Sequence, residues 1–210
     1  MAIEIQTVVE ADLRRCAEVE QLAFAESPLN PVLFPGLPEN VLEVRAAELG
    51  KLLREDATVR MFKAVDTTLS DDGGIVGWCK FNVHEDGMPE PKPRVWPPGA
   101  NEEACRMLFV GLDQMRQRLM AGKRAVYIHI LVTDPKHQRR GAGLQLMAPA
   151  MQEGVRLGLP VYLESSSAGH RLYTKVGFKD VEEHRLDFSH LGVELVHSNW
   201  AMIWEPPNQQ

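Results

Sequence analysis

Cysteine is scarce and odd in number. Cys16, Cys79 and Cys105 lie far apart and form no C-x-x-C pair, which excludes a disulfide framework and a cysteine-based zinc site and leaves reduced core thiols. Basic residues are in deficit, 23 Lys and Arg against 29 Asp and Glu, a formal net charge of −6. Duplex nucleic acid needs a basic surface, so it is excluded as a partner, and an acidic field favours the approach of small cationic molecules instead. No apolar run reaches membrane-spanning length, and Met1-Ala-Ile-Glu-Ile lacks a charged lead followed by an apolar stretch. A soluble, cytoplasmic protein without membrane contact is the default expectation. Repeats and low-complexity tracts are also missing. The 210 residues, 44% apolar, suffice for one substantial core, and a single domain over 1–210 is expected.

The most informative stretch runs from Val126 to Leu144. A β-branched, apolar run passes through Asp134-Pro135 into a basic turn with Gly141 and Gly143, then into a helical pattern carrying Leu144, Met147 and Met151 on one face. Glycines let a backbone approach a ligand, and the first N–H groups of a helix are unpaired donors at a positive dipole end. With Arg139 and Arg140 added, such a turn suits a diphosphate. The bland alternative is an ordinary strand-to-helix turn with solvated arginines. The third glycine of a dinucleotide fingerprint and the Lys-Ser pair of a P-loop are both absent.

About thirty residues on comes Leu163-Glu164-Ser165-Ser166-Ser167-Ala168-Gly169-His170-Arg171-Leu172-Tyr173-Thr174-Lys175-Val176-Gly177-Phe178. Here the chain resembles the GNAT acetyltransferases. Gln138-x-x-Gly141-x-Gly143 is similar to their acyl-CoA diphosphate loop, and Tyr173-x-x-x-Gly177-Phe178 to their second motif, at the expected separation. The resemblance is good over 126–188. It implies an α/β GNAT fold with a mixed central sheet splayed between its fourth and fifth strands and flanked by helices, and acetyl-CoA as cofactor. Within the family the chain looks like the fungal small-molecule type, on the strength of Trp96-Pro-Pro-Gly-Ala-Asn101 before a helix.

Strands are expected at 3–9, 59–66, 75–83, through the central run, at 159–164, 181–188 and 194–204, the last two antiparallel. Helices are expected after the first strand, with Leu13, Cys16 and Ala17, from about Pro38 to Arg54, and over Ala168–Val176. Ser27 to Pro38 reads as a proline-punctuated loop, and Pro206 to Gln210 as an unstructured tail. Residues 84–121 form a Pro-rich loop plus helix, with Ala104, Leu108, Gly111, Met115 and Leu119 at helical spacing. This is an insertion relative to the shortest GNAT members, either a surface excursion packed by Trp96 or a substrate lid. Pro149 falls inside the helix after the diphosphate loop and should kink it at a cost of ~3 kcal/mol; some antibiotic-inactivating members resemble this chain in carrying proline there.

The resemblance also implies where the cofactor lies. The backbone of Leu131, Val132 and Thr133 would pair with the pantetheine amides, and Gln138, Arg139, Arg140, Gly141, Ala142, Gly143 and Leu144 would hold the diphosphate. Ser166 stands where many members bond the pantetheine through asparagine. Attack on the thioester needs a neutral amine, so the site must supply a proton acceptor. His129 is the candidate, since the two-residue period puts Tyr127, His129 and Leu131 on one strand face. Arylalkylamine acetyltransferases resemble this segment, with a His-x-His pair where this chain has Tyr127-Ile-His129. A core histidine bonded to a carbonyl is the alternative. Glu164 is the competing acceptor, or a salt-bridged strand-end glutamate; His84 and Glu85 are weaker candidates. Tyr173 matches the family's tyrosine that gives a proton to the departing sulfur, or is a half-buried aromatic with a wet hydroxyl.

The expected activity is direct transfer of an acetyl group from acetyl-CoA to a primary amine of a small molecule, without a covalent acyl-enzyme and without a metal. A protein N-terminal or lysine acetyltransferase and a catalytically silent acyl-CoA-binding module are the alternatives. The closing strands offer an edge through which two copies could pair as a homodimer.

Overall fold

A computed structural model describes residues 3–207; Met1 and Ala2, and the last three residues of the expected C-terminal tail, lie outside the described residues. The β-branched and apolar runs form strands β1 (Ile3–Thr7), β2 (Val59–Asp66), β3 (Ile75–His84), β4 (Ala125–Thr133), β5 (Val161–Ser166), β6 (Lys179–Asp187) and β7 (Val196–Trp204). They make one mixed seven-stranded sheet in the order β1-β2-β3-β4-β5-β7-β6. Only β4 and β5 run parallel; β7 inserts antiparallel between β5 and β6.

Helices α6 (Ala142–Leu157) and α7 (Ser167–Val176) cover one face, where Val126, Ile128, Leu146, Met147, Leu163 and Tyr173 share a core. On the opposite face, α1 (Leu13–Ala25) and α3 (Val41–Glu55) pack on Trp78 and Val132. Beside them α5 (Gly111–Met120) sets Met115 and Met120 against Tyr127 and Tyr162. Helix α6 runs through Pro149 unbroken. Leu146, Met147 and Ala150 are all fully enclosed. Burial of the first two, roughly 1.5–3 kcal/mol each, outweighs the ~3 kcal/mol lost at an internal proline.

One irregularity changes the reading of the central strand. Phe81 lies opposite Ile128 and Lys80 opposite Ile130, so His129 is an extra residue, a bulge in β4. Tyr127 and His129 stay together, with ring centroids 3.7 Å apart. Leu131 does not share their face, because the bulge shifts the alternation and turns it toward α6, while Ile130 and Val132 join the α1–α3 core.

The two proline-rich stretches pack on each other. The first contains a short helix, α2 (Asn30–Leu33), that the pattern did not announce. The second leads into α4 (Glu102–Cys105) and a π-helical turn, Arg106–Val110, which continues into α5. Leu29, Leu33 and Phe34 meet Trp96, Leu108 and Phe188, and the Asn101 N–H donates to the Leu33 carbonyl at 2.8 Å. At Gly99 the backbones come so close that a Cβ would fall 1.8 Å from the Gly36 oxygen.

Candidate active site

Strands β4 and β5 pair only from Val126–Val161 to Ile128–Leu163, and beyond that they diverge. His129 and Glu164 are the first residues of the opening. Past it, Leu131, Val132 and Thr133 pair with Cys79, Trp78 and Gly77 of β3. Their other edge faces the opening, with no strand partner.

At the end of β4 the chain turns on Asp134, whose carboxylate accepts from the Lys136 N–H at 3.0 Å and from Arg15 Nη2 at 2.8 Å. Gln138 Nε2 folds back on the Thr133 carbonyl at 3.4 Å. Arg139 adopts φ 63° and Gly141 φ 89°, a left-handed pair that delivers the chain to α6. The first helical bond runs from the Gln145 N–H to the Gly141 carbonyl at 3.2 Å, leaving the N–H groups of Ala142, Gly143 and Leu144 without a partner four residues back. Arg140 is turned inward onto enclosed Asp66 and the His137 ring, so it braces this loop. Gly143 serves packing as well as access, since a Cβ there would lie 3.2 Å from Leu172 and 3.6 Å from Leu131.

The α1–α3–α5 face of the opening carries a charged network. Arg116 Nη1 donates to the Tyr127 hydroxyl (2.7 Å) and to Glu164 Oε1 (3.1 Å), and Tyr127 donates to Glu164 Oε2 at 2.6 Å. Arg116 also holds Asp113, which in turn receives Arg94 of the proline-rich loop at 2.6 and 2.8 Å. Burial works to raise the Asp113 pKa, but Arg94 and Arg116 outweigh it and hold the carboxyl below its usual range. Burial pushes the Glu164 carboxyl up while Arg116 and Tyr127 pull it back. Both Glu164 oxygens are occupied, which makes it an anchor. The Tyr162 hydroxyl is close enough to sense this carboxylate, yet it makes no hydrogen bond of ordinary geometry.

His129 differs. Its ring is exposed to the opening and makes no hydrogen bond to another described residue. The surrounding protein mass, and after it the cations Lys80, Arg116, His84 and Arg94, hold its pKa well below the ordinary histidine value. Because the ring meets solvent, the charges are the firmer cause. Nearby, Glu20 and Arg45 pair at 3.0 Å, and Lys80 on β3 is only 8% exposed. Burial first, then Arg45, bring the Lys80 pKa down to about 8 against the pull of Glu20 and Asp56. His84 is half-buried and Glu85 exposed, and neither joins the Arg116 network.

Tyr173 rises from α7 on the other side, packed edge-on against Phe178 at 5.8 Å. Burial pushes its phenol well above the ordinary value, so it stays protonated. Its hydroxyl has no partner among the described residues, yet it is not enclosed. Ser166 caps α7 with its backbone, and its carbonyl accepts from the Ser165 hydroxyl at 2.8 Å. Cys16 and Cys79 are enclosed, with thiols pushed up by burial to about 12, unsuited to nucleophilic work. The opening thus joins a turn with unpaired helix-start N–H groups, a free strand edge, an available imidazole and an available phenol. Sequence reasoning missed Arg94, Asp113, Arg116, Tyr127 and Lys80; the one local signal was the Asp113–Arg116 spacing of three on a helix.

Comparisons with known proteins agree on what this is. A family model described as the acetyltransferase (GNAT) family matches residues 40–178. The chain is 30% identical over 98 residues to a probable acyltransferase, SID5, of Ajellomyces capsulatus, covering 47% of this chain and 66% of that relative, just under two thirds of its length. Among solved structures, a histone acetyltransferase HPA2 and related acetyltransferase from Corynebacterium glutamicum superposes with TM-score 0.60 at 16% identity, over 100% of this chain and 99% of that one. YncA from Salmonella typhimurium, solved with its cofactor acetyl-CoA, gives 0.59 at 14% identity, over 100% and 96%. At these identities the structural likeness is one of fold.

Proposed function

Because the chain belongs to the GNAT acetyltransferase family and so depends on acetyl-CoA, we propose that it moves the acetyl group directly to a primary amine of a small molecule, with His129 as proton acceptor. The observation that carries this reading is the bulge. It lifts one imidazole out of the sheet at the point where β4 and β5 part, and leaves that ring without any other bond.

Acetyl-CoA supplies an activated acetyl thioester. The N–H groups of Ala142, Gly143 and Leu144 with Arg139 would hold its diphosphate, as Gly141's left-handed turn and the unpaired helix start fit. The free edge of Leu131, Val132 and Thr133 would hold its amides, strand to strand, with Ser166 opposite. His129, kept neutral near pH 7, takes the proton of the acceptor ammonium at its free ring nitrogen. Tyr173, kept protonated, donates at the departing sulfur. Glu164 with Arg116 and Tyr127 fixes the wall beside His129 and is a positioning group. Enclosed thiols give no acyl-enzyme, and transfer is direct.

The paired proline-rich loops support a small acceptor. Arg94 ties the second loop to Asp113, which shares Arg116 with Glu164, so the loop is anchored to the wall beside His129. A thiol-release screen with acetyl-CoA over alkyl-, aryl- and aminoglycoside-type amines and a set of peptides tests this. Small amines should turn over and peptides should lag by at least about tenfold in kcat/KM; turnover of peptides alone would overturn the small-molecule reading.

A further inference from the structure

The charges on the acceptor face are paired off with one exception. Arg45 pairs with Glu20 and Glu48, Arg94 and Arg116 with Asp113, and Arg116 with Glu164. Asp56 is satisfied by the Thr58 amide and hydroxyl at 3.0 and 2.6 Å. Lys80, more than nine-tenths buried, has no ion pair and no side-chain hydrogen bond among the described residues. Glu20 and Asp56 act on it only through space. Its nitrogen is not among the fully enclosed polar atoms, so it is reachable from solvent, on the strand next to the His129 bulge. A desolvated ammonium without a counter-ion is costly, and such a cost persists where a ligand supplies the missing charge.

Lys80 is also the strongest electrostatic neighbour of His129, on the adjacent strand at the bulge. An anion bound at Lys80 therefore sits close to an amine losing its proton at His129. Resting on the amine-acetylation reading above, we infer that Lys80 binds a carboxylate carried by the acceptor, so that the preferred substrate is an amino acid-like amine and not a polyamine or plain alkylamine. The acidic surface of the whole chain attracts the ammonium end, and Lys80 selects the other end. This accounts for a cation at the centre of a site built to receive cations.

The test compares acceptors with their uncharged counterparts: glycine, β-alanine, γ-aminobutyrate and lysine, each against its primary amide, with rates expressed per neutral amine. For the best acid, kcat/KM should exceed that of its amide by on the order of tenfold to a hundredfold. In Lys80→Met that ratio should fall to about one while the KM for acetyl-CoA holds. Melting of Lys80→Met serves as the second readout. Removing an unpaired buried charge should leave Tm level or raised, whereas a drop of about 5 °C or more would mark Lys80 as a structural residue and overturn the inference. A wild-type ratio at or below one, or a ratio that survives Lys80→Met, would also overturn it. If no amine releases thiol, the amine-acetylation reading fails on its own. Calorimetry of γ-aminobutyrate and its amide with the CoA-saturated protein then decides on Lys80, which requires tighter binding of the acid in wild type only.

Discussion

The two sides of the opening are built by different means. On the α6 side, the proposed cofactor site is backbone: a left-handed turn, three helix-start N–H groups and a strand edge, all within Leu131 to Leu144. On the α1–α5 side, the proposed acceptor site is side chains, with Arg94, Asp113, Arg116, Tyr127, His129 and Glu164 gathered from four separate segments. A backbone site needs few particular residues, so the chain can grip one invariant cofactor while its surface varies. A side-chain site is specific, and each member is answerable to its neighbours. Substitutions on the two sides should accordingly fail in different ways, one in KM for acetyl-CoA, the other in kcat or in stability.

The sharpest contrast is His129→Ala. Loss of a positioned base should lower kcat by about 10²–10⁴-fold, read by thiol release at saturating acetyl-CoA, with calorimetric CoA affinity unchanged. A matching loss of CoA binding would merge the two sides and break the distinction. In wild type, kcat at saturating acceptor should hold as pH falls to about 6.5 and drop only beneath it, since the cations around the ring keep it neutral. Lys80→Met, by removing one of those cations, should move that acid limb upward.

Arg116→Met comes next. It strips Glu164 and Asp113 of their shared guanidinium; Asp113 keeps Arg94, but Glu164 is left a buried carboxylate without a cation, which costs about 3–5 kcal/mol of stability. Chemical denaturation should show this loss, and pairing the change with Glu164→Gln should recover part of it. Full additivity of the two would mean that the ion pair is not a unit.

How much of this was legible follows the same division. Gly141 announced the left-handed turn and helix start of the proposed cofactor side, and the Tyr173 motif the family, because a backbone feature is written over a few consecutive positions. The strands, too, fell close to where apolar alternation put them. On the acceptor side His129 and Glu164 were picked out singly but the network around them was not, because Arg94 and Glu164 are seventy residues apart and meet only through the fold. Within β4 the two-residue period was right for Tyr127 with His129 and wrong for Leu131, because one inserted residue reverses every later position. Pro149 did not displace the helix expected around it, as tertiary burial outweighed a local penalty.

Gly141→Ala probes the backbone side. A Cβ at φ 89° costs roughly 1–2 kcal/mol wherever there is room, and here there is room, the nearest atom being Gln145 Nε2 at 3.9 Å. The cost falls on the turn, so KM for acetyl-CoA should rise about tenfold with kcat for bound substrates nearly held.

The smallest effect concerns an ion pair that braces the backbone side, Arg140 with Asp66. The Thr68 hydroxyl and amide, and behind them Arg140, depress the Asp66 carboxyl to about 2; although its side chain is closed to solvent, these hydrogen bonds outweigh desolvation. A carboxylate whose folded pKa lies below its unfolded value of roughly 3.9 stabilises the protein above that value and loses the contribution as pH falls toward the folded one. Thermal melts of wild type should therefore decline between about pH 4 and about pH 2 more steeply than those of Asp66→Asn, which has already lost the charge. At neutral pH the same variant frees Arg140, and KM for acetyl-CoA should rise only a few-fold, because the N–H groups that grip the diphosphate belong to the helix start and need Arg140 only to hold the approach to it. A loss as large as that of Gly141→Ala would mean that Arg140 itself reaches the cofactor, and the backbone side would then be a side-chain site after all.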